Sequence, residues 1–252
     1  MRYKVQVVGW ALIWSGLFIF GYLGWQLFGT DVINAGVQAE ASEELEVVLE
    51  ESDPVPESVD SAEYLGAGVI VPPQIPQVVD FTSEEPVAVG ESFAFMSIPK
   101  IGMEGLVVYE GVDRETLRKG PGHMGSTALP GQPGNAVISG HRTTYGSPFF
   151  DFDLLEPGDT VEVETATGSH VYEVREIQVV APTDVWVTGD RPGGWLTLTT
   201  CNPKFSARER LVVFAEMVDG PNFEYVSLHK ARFGESAYGT SPERISWSTI
   251  PL

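Results

Sequence analysis

Cysteine is almost absent from this sequence of 252 residues, in which Cys201 is the only one. A single cysteine forms no internal disulfide, which excludes the class of small secreted domains that disulfides hold together. The four histidines and one cysteine offer no Cys-rich metal-binding spacing. The sequence therefore assigns no metal ligands and no cofactor; its many Asp and Glu residues form no EF-hand-like run, and a need for calcium stays open.

Basic residues are missing from a long early segment. Between Lys4 and Lys100 there are 15 Asp and Glu residues and no Lys or Arg, so this segment carries most of the formal net charge of −20. Residues 100–252 are only mildly acidic, with 20 acids and 13 bases. Binding of DNA or RNA requires clustered Lys and Arg for the phosphates. The charge pattern therefore argues against nucleic acid as a partner.

One long apolar run is present near the N-terminus, where 20 of the 22 residues from 7 to 28 are apolar or small. A helix of that length spans about 33 Å, enough to cross the hydrocarbon core of a membrane. Arg2 and Lys4 precede the run, so the positive-inside rule places the N-terminus in the cytoplasm and the rest of the chain outside. We predict a single-pass anchor over residues 1–30. The alternative is a cleaved signal peptide, although the run is longer than the apolar core of such peptides.

Composition divides the remaining chain into three parts. Residues 31–90 are acidic and contain six prolines, which predicts a disordered linker with at most a short helix near residues 45–49. Residues 91–220 form the predicted folded body. Residues 221–252 form a tail with several aromatic residues, which the sequence leaves either packed on the body or free of it.

The folded body has the pattern of an all-β domain. Short alternating apolar runs broken by Gly and Pro predict seven strands, at residues 95–98, 106–109, 136–139, 160–165, 171–180, 195–200 and 211–217. Residues 166–169 predict a hairpin loop, and residues 114–118 predict a short helix. Strands of this number and spacing indicate a barrel or sandwich of roughly 125 residues.

Cys201 stands at the end of a predicted strand, and Asn202-Pro203 stops the strand directly after it. A small buried side chain is the structural alternative for this residue. An unpaired thiol outside the cell is exposed to oxidation, however, and its retention there suggests a use. A strand end also presents a nucleophile at an open rim. We therefore take Cys201 as the candidate nucleophile.

Arg210 begins the next predicted strand. If the two strands pair as a hairpin, Arg210 lies about 5 Å from Cys201. There its charge favours a thiolate and its N–H groups stabilise an oxyanion. Arg208 has the same strand parity but lies in the loop, which favours Arg210 because a strand fixes a residue better. A surface ion pair with Glu209 or Glu216 is the alternative role for Arg210.

Cysteine acyl chemistry also needs an acid and base, a role that histidine often takes. His141 follows the predicted strand 136–139 after a single glycine, again at a strand end, and is the best candidate by position. A structural role is its alternative. His123 follows Gly120-Pro121-Gly122 and is predicted to order a loop, whereas His170 and His229 are predicted to be surface residues.

These residues occur in motifs that resemble the sortase family, the membrane-anchored transpeptidases of Gram-positive bacteria. Residues 197–201, Thr-Leu-Thr-Thr-Cys, match the TLxTC signature, and residues 139–146 resemble the segment around the sortase histidine. The segments most similar to class E sortases are 120–123, 128–131, 148–149, 155–159 and 202–210. The resemblance covers about residues 93–218. It implies a closed sortase-type β-barrel of about eight strands with short helices, after one transmembrane helix and a disordered linker.

The resemblance also implies a role for each candidate. Cys201 would attack the Thr–Gly carbonyl of a C-terminal sorting signal and form a thioester. His141 would protonate the departing amine and later deprotonate the incoming one. Arg210 would hold the substrate and stabilise the oxyanion, and Thr200 would line the same groove. The partners would be surface proteins that bear sorting signals, and an amine of a peptidoglycan precursor or a pilin lysine.

The type of sorting signal is left open. Class E sortases tend to favour LAxTG over LPxTG signals and often carry a tyrosine in the loop after the first Ile-Pro strand. In this sequence the corresponding residues 102–105 are Gly-Met-Glu-Gly.

Two other functions compete with a sortase activity. A non-catalytic surface module would bind peptides in the groove, but such a module would be expected to lack one of the three candidates, and all are present. An L,D-transpeptidase or a cysteine hydrolase would also use Cys and His. No Ser-His-Gly-type motif around a cysteine, typical of the L,D-transpeptidases, is seen.

Overall fold

The computed structural model describes residues 2–25, 29–51, 81–83 and 85–233. Residues 52–80 of the predicted linker and residues 234–252 of the predicted tail lie outside the described residues. The helices are Arg2–Gly24 (α1), Thr30–Glu51 (α2), Arg114–Lys119 (α3) and Phe223–Phe233 (α4). The strands are Ser92–Ile98 (β1), Met103–Glu110 (β2), Gly122–His123 (β3), Gly134–Ser139 (β4), Thr160–Thr165 (β5), Gly168–Val180 (β6), Gly194–Asn202 (β7) and Glu209–Asp219 (β8). Short 3-10 turns lie at Pro99–Ile101, Phe152–Leu154 and Val185–Thr188.

The strands close into a barrel in the order β1-β2-β3-β4-β7-β8-β6-β5, and β5 pairs with β1 to complete the ring. β7 lies between β4, to which it is parallel, and β8, to which it is antiparallel. Every predicted strand is present, most with additional residues at one or both ends. The predicted closed all-β barrel of about eight strands is therefore confirmed.

The core lies inside the barrel and follows the alternation of the strands. β5 shows this most simply, because its residues alternate between exposed and buried along its whole length. The inward side chains of β7 and β8 include Leu196, Leu198, Leu211 and Val213, all of which belong to the main apolar cluster. Side chains at neighbouring positions on these two strands therefore point outward, away from the core.

β3 has no counterpart among the predicted strands. It has two residues, pairs in parallel with β2 and antiparallel with β4, and thereby joins two halves of the barrel. Two residues are too few to show an alternating pattern, and Gly120, Pro121 and Gly122 around it indicate a loop instead.

Helix α2 replaces the first part of the predicted linker. Residues 30–51 contain no proline and are rich in Ala, Glu, Leu and Val, so the chain continues as a helix until the prolines begin. Leu45 packs against Val107 and Tyr109 of β2. The side-chain amide of Gln38 accepts a hydrogen bond from the Val107 N–H at 3.0 Å. The prediction of a disordered linker is therefore wrong for these residues, because docking on the barrel outweighs the repulsion of their acids.

Helix α4 packs on the barrel through Val226, which is 3% exposed and belongs to the main apolar cluster. The turn before it is fixed by Asn222, whose amide donates to the carbonyls of Thr82 and Gly131 at 2.8 and 3.1 Å. The alternative of a packed tail is thus the correct one for residues 221–233.

His170 is fully buried, so its prediction as a surface residue is wrong. Its ring packs directly beneath Gly131, where a Cβ atom would lie 2.3 Å from the imidazole, and Nε2 lies 3.1 Å from the Thr167 hydroxyl oxygen. Gly131 makes this close approach possible and has a φ of +81°, which glycine adopts easily. Burial lowers the pKa of His170 to about 4.

We expect Asn135→Ala to lower the free energy of unfolding by about 2 to 4 kcal/mol, because three hydrogen bonds of a buried side chain are lost together. The Asn135 amide donates to the carbonyls of Val187 and Gly189 at 3.2 and 2.9 Å and accepts from the Thr197 hydroxyl at 2.7 Å. Urea denaturation measures the change. Gln178→Ala is the matched control, since among the described residues that amide bonds only to Glu176 on the surface. Equal losses for the two variants would contradict the prediction.

Candidate active site

Three neighbouring strands meet at the same place on the barrel rim, where β4 and β7 end and β8 begins. β4 and β7 run parallel up to the Ser139–Thr199 pair, and the Gly140 N–H donates to the Thr199 carbonyl at 3.1 Å. β7 and β8 pair in a register that sets Cys201 opposite Arg210. Since Ser139 lies opposite Thr199, the residues two positions later, His141 and Cys201, leave their strands side by side. His141, Cys201 and Arg210 are therefore neighbours on one rim.

Cys201 lies on the outer face of β7. Leu196 and Leu198 point into the core, and the regular pairing with β8 keeps the alternation up to the strand end, so Thr197, Thr199 and Cys201 point outward. The thiol is partly exposed and unpaired. A nucleophile in this position is accessible from outside the barrel and is supported by a strand that is bonded on both sides.

Arg210 shares the outer face with Cys201. Its guanidinium group donates to the backbone carbonyls of Ala207 and Glu209 at 3.1 and 3.0 Å. Within the part of the chain that the structure describes, Arg210 makes no ion pair, whereas the side chain of Arg208 is 74% exposed and lies 3.6 Å from Glu209. The predicted pairing of Arg210 with Cys201 is thus confirmed as a strand register, and the alternative of a surface ion pair is not observed.

His141 is half-buried in the loop that follows β4. Its ring centre lies 5.0 Å from that of Tyr145, whose ring in turn lies 5.7 Å from the Arg118 guanidinium carbon. Burial, together with the nearby charge of Arg118, lowers the pKa of the His141 imidazole below its ordinary value. The imidazole is therefore predominantly neutral at neutral pH.

Thr200 lies on the opposite side of β7 from Cys201. It is 3% exposed, and its hydroxyl donates to the Gly140 carbonyl at 2.8 Å. This position revises the expectation that Thr200 lines the groove, because a residue adjacent to Cys201 on a regular strand points to the other face. The hydroxyl instead joins the end of β7 to the residue that precedes His141.

Arg142 was not assigned a role from the sequence. It is 3% exposed and its guanidinium group donates to the Asn202 side-chain oxygen at 2.7 Å and to the Cys201 carbonyl at 3.3 Å. An ion pair with Asp153 at 2.9 Å compensates its charge. Arg142, which directly follows His141, thus holds the backbone of Cys201 in place. The sequence signals for Arg142 were its place beside His141 in the family-like segment 139–146 and the acids about ten residues later.

The outer face beside the site carries a buried apolar cluster, and two exposed apolar residues lie beyond it. Val212 and Phe214 of β8 and Val187 of the β6–β7 connection form a cluster outside the barrel. Beyond it, Val185 and Trp186 are 75% and 51% exposed. The exposed Val185 and Trp186 therefore form an apolar edge next to this cluster.

The other described histidines lie apart from this rim. His123 lies in β3 and not in a loop, contrary to the prediction. Its Nδ1 atom lies 2.6 Å from a Glu110 carboxylate oxygen, and its Nε2 atom lies 2.9 Å from the Ala128 carbonyl oxygen in the segment after β3. Among the described residues, no group of three or more His, Cys, Asp and Glu side chains is placed to hold a metal ion.

Taken together, the rim brings a thiol, an imidazole and a guanidinium group to neighbouring segments of the chain. This combination suits acyl transfer, in which a thiol attacks a carbonyl, an oxyanion develops and an amine departs. Arg142 and Thr200 add fixed links between the segment of His141 and the strand of Cys201.

Comparison with known proteins agrees with this arrangement. The family model of the sortase domain matches residues 96–218. The chain is 36% identical over 146 residues to Sortase SrtE1 of Streptomyces coelicolor, covering 52% of this chain and 41% of the relative. It is 34% identical over 134 residues to Sortase D of Bacillus subtilis, covering 51% and 65%. The chain thus spans about half the length of the curated relatives it matches.

A solved structure extends the comparison to the fold. The Clostridium perfringens Sortase D5 transpeptidase superposes with a TM-score of 0.50 at 32% identity, over 53% of this chain and 83% of that one. The residues that the sortase family model matches, 96–218, include Cys201, His141 and Arg210. By motif, by barrel and by sequence identity, the chain belongs to the sortase family.

Proposed function

We propose that this chain is a membrane-anchored cysteine transpeptidase. It cleaves a C-terminal sorting signal between Thr and Gly and transfers the acyl group to an amine of a cell-wall precursor or a pilin. The observation that carries the proposal is the register of β7 and β8, which sets Cys201 opposite Arg210 beside the strand end of His141.

The proposed reaction begins when the Cys201 thiol gives its proton to the neutral His141 imidazole and the sulfur attacks the Thr carbonyl carbon. Arg210 donates N–H bonds to the carbonyl oxygen as it becomes an oxyanion. The C–N bond to Gly then breaks, His141 gives its proton to the departing amine, and a thioester to Cys201 remains. The incoming amine attacks the thioester and gives a proton to His141, so that a new amide forms and the thiolate is released.

Two buried residues keep these groups in place. Arg142 bonds the carbonyl of Cys201 and the side chain of Asn202, and Thr200 bonds Gly140 next to His141. Neither faces the outer side of β7 where substrate would lie. We therefore assign Thr200 a positioning role in place of the substrate-binding role that the family resemblance implied.

The surroundings of the site support a peptide substrate at a membrane surface. The stretch Gln6–Gly24 of α1 has the length and composition of a membrane span. We propose that it anchors the chain with the barrel outside the cell, since Arg2 and Lys4 precede it. Surface proteins with sorting signals and an amine acceptor would then be the partners.

The preference between LAxTG and LPxTG signals would be set near the β1–β2 connection. Met103 and Glu104 line a cavity of about 310 Å³ together with Gly146 and Pro148 from the loop of His141. The tyrosine common in class E sortases is replaced here by this Gly-Met-Glu-Gly segment, so we expect a preference that differs from theirs.

We predict that Cys201→Ala abolishes cleavage of a sorting-signal peptide, because no other cysteine exists to form the thioester. Arg210→Ala should lower kcat/KM by about 100-fold to 1000-fold, the usual loss when an oxyanion donor is removed. The assay compares LAxTG and LPxTG peptides with and without an amine acceptor and detects both the released fragment and the transfer product.

Arg208→Ala is the matched control for Arg210→Ala. Arg208 carries the same charge, lies two residues earlier in the chain and is exposed. We expect this variant to stay within about threefold of the unaltered chain. Full cleavage by Cys201→Ala would refute the enzyme function and leave a peptide-binding module as the better account. Equal losses in the two arginine variants would refute the role of Arg210.

We also predict that Arg118→Gln raises the pKa of His141. Removing the guanidinium charge removes a cation that disfavours the imidazolium, so the protonated fraction at neutral pH increases. Titration of the histidine Cε1–H signals by NMR measures the shift, with His141→Gln to assign the resonance. Arg114→Gln removes the same charge from the exposed start of α3 and should leave the pKa unchanged, and a fall in the pKa of His141 in Arg118→Gln would contradict the argument.

A further inference from the structure

The first turn of α2 contacts the loop that carries His141. The Gly146 N–H donates to the Asp31 carboxylate at 2.9 Å, over a separation of 115 residues in the chain. Gly146 also packs against Asn34, because a Cβ atom at Gly146 would lie 2.2 Å from the Asn34 side-chain oxygen. This contact joins the helix that follows the membrane span to the loop between β4 and Phe149.

Asn34 connects the same turn of α2 to the end of α3. It is 6% exposed, and its amide donates to the carbonyls of Arg118 and Lys119 at 3.0 and 2.7 Å. The last carbonyls of a helix lack partners within the helix, so Asn34 satisfies groups that would otherwise be exposed to water. The backbone of Arg118 is thereby fixed from α2.

The two contacts converge on Tyr145. Arg118 lies over the Tyr145 ring at 5.7 Å, and this ring lies 5.0 Å from the ring of His141. Asp31 accepts a hydrogen bond from Gly146, the residue after Tyr145. Asn34 bonds the backbone of Arg118, whose guanidinium group lies over the Tyr145 ring. The position of the His141 side chain therefore depends on a short path that begins on α2.

The loop needs external support because of its backbone. Tyr145 and Ser147 have φ values of 52° and 48°, in the left-handed region that residues other than glycine seldom adopt. Such conformations persist only where surrounding contacts impose them. Gly146, between these two residues, is the point at which Asp31 and Asn34 contact the loop.

We propose that Asp31 and Asn34 are positioning residues for His141, and that α2 is therefore part of the catalytic unit. The proposal rests on the proposed transpeptidase function, since it concerns the acid–base group of that reaction. It gives the segment directly after the membrane anchor a role in turnover, in addition to connecting the anchor to the barrel.

The kinetic test uses the full chain in detergent micelles and the sorting-signal peptide with an amine acceptor. We expect Asp31→Ala to lower kcat about threefold to tenfold with KM within about twofold, because His141 acts in the transition state more than in substrate binding. Asp31→Asn should restore most of the turnover, since the amide oxygen still accepts the Gly146 N–H. If Asp31 acted only through the charge at the start of α2, Asp31→Asn would behave like Asp31→Ala.

Glu43→Ala is the matched control, because it removes one carboxylate from an exposed position of the same helix. We expect this variant to match the unaltered chain. Asn34→Ala should lower kcat in the same way, and the double variant Asp31→Ala with Asn34→Ala should lose less than the product of the two single losses, because both residues act on one loop.

Hydrogen–deuterium exchange tests the same path without any turnover. In Asp31→Ala the Gly146 amide should exchange about tenfold faster than in Glu43→Ala, the change expected when one hydrogen bond to a charged acceptor is lost. Peptides from β5, on another part of the barrel, should exchange equally in both variants and thereby exclude general unfolding.

The outcomes separate this inference from the proposed function. If Asp31→Ala exchanges and turns over like Glu43→Ala, the positioning role is overturned while the transpeptidase function stands. If the unaltered chain cleaves neither signal peptide, the proposed function and the role in turnover fall together. Faster exchange at Gly146 with unchanged kcat would also overturn the role in turnover, since α2 would then stabilise the loop alone.

Discussion

The pairing of β7 with its two neighbours is the interaction on which the rest of the site depends. β7 is bonded in parallel to β4 and antiparallel to β8, so its end is held on both sides. A slip of one residue in either pairing would exchange the inner and outer faces of β7 and move Cys201 into the core. The apolar residues Leu196 and Leu198 prevent such a slip, because it would expose them. The same burial that stabilises the barrel therefore fixes the direction of the thiol.

Buried polar side chains then join the loops to this frame. Arg142 brings a charge into the interior, which costs free energy unless partners compensate it. The Asp153 carboxylate, the Asn202 side chain and the Cys201 carbonyl supply those partners. Breaking any one of them would leave a buried charge less well paired, so the network admits few alternative arrangements. The backbone at the rim is thus fixed because an unpaired buried guanidinium group would raise the free energy of the folded state.

The barrel strands and the pair Cys201–Arg210 could be predicted from the sequence, because alternation and a single loop suffice to set a hairpin register. β3 could not, since two residues carry no periodicity. The role of Arg142 could not be predicted either, because its partners come from separate loops that only the closed barrel brings together. Thr200 shows the limit of motif matching: adjacency to Cys201 in the chain suggested a shared groove, whereas strand geometry places the two on opposite faces.

The face of α2 that contacts the barrel was not recognised from the sequence because the segment is rich in acidic residues. The residues of α2 that contact the body recur at intervals of three and four, from Asp31 and Asn34 through Gln38 to Ala41 and Leu45. The first three are polar and bond to backbone groups, so the stripe has little hydrophobic periodicity in the sequence. The acids at positions 40, 43, 44, 46 and 50 are exposed and leave this stripe free. A segment whose net charge indicates self-repulsion can thus be a helix with one solvated acidic face and one face that binds the barrel.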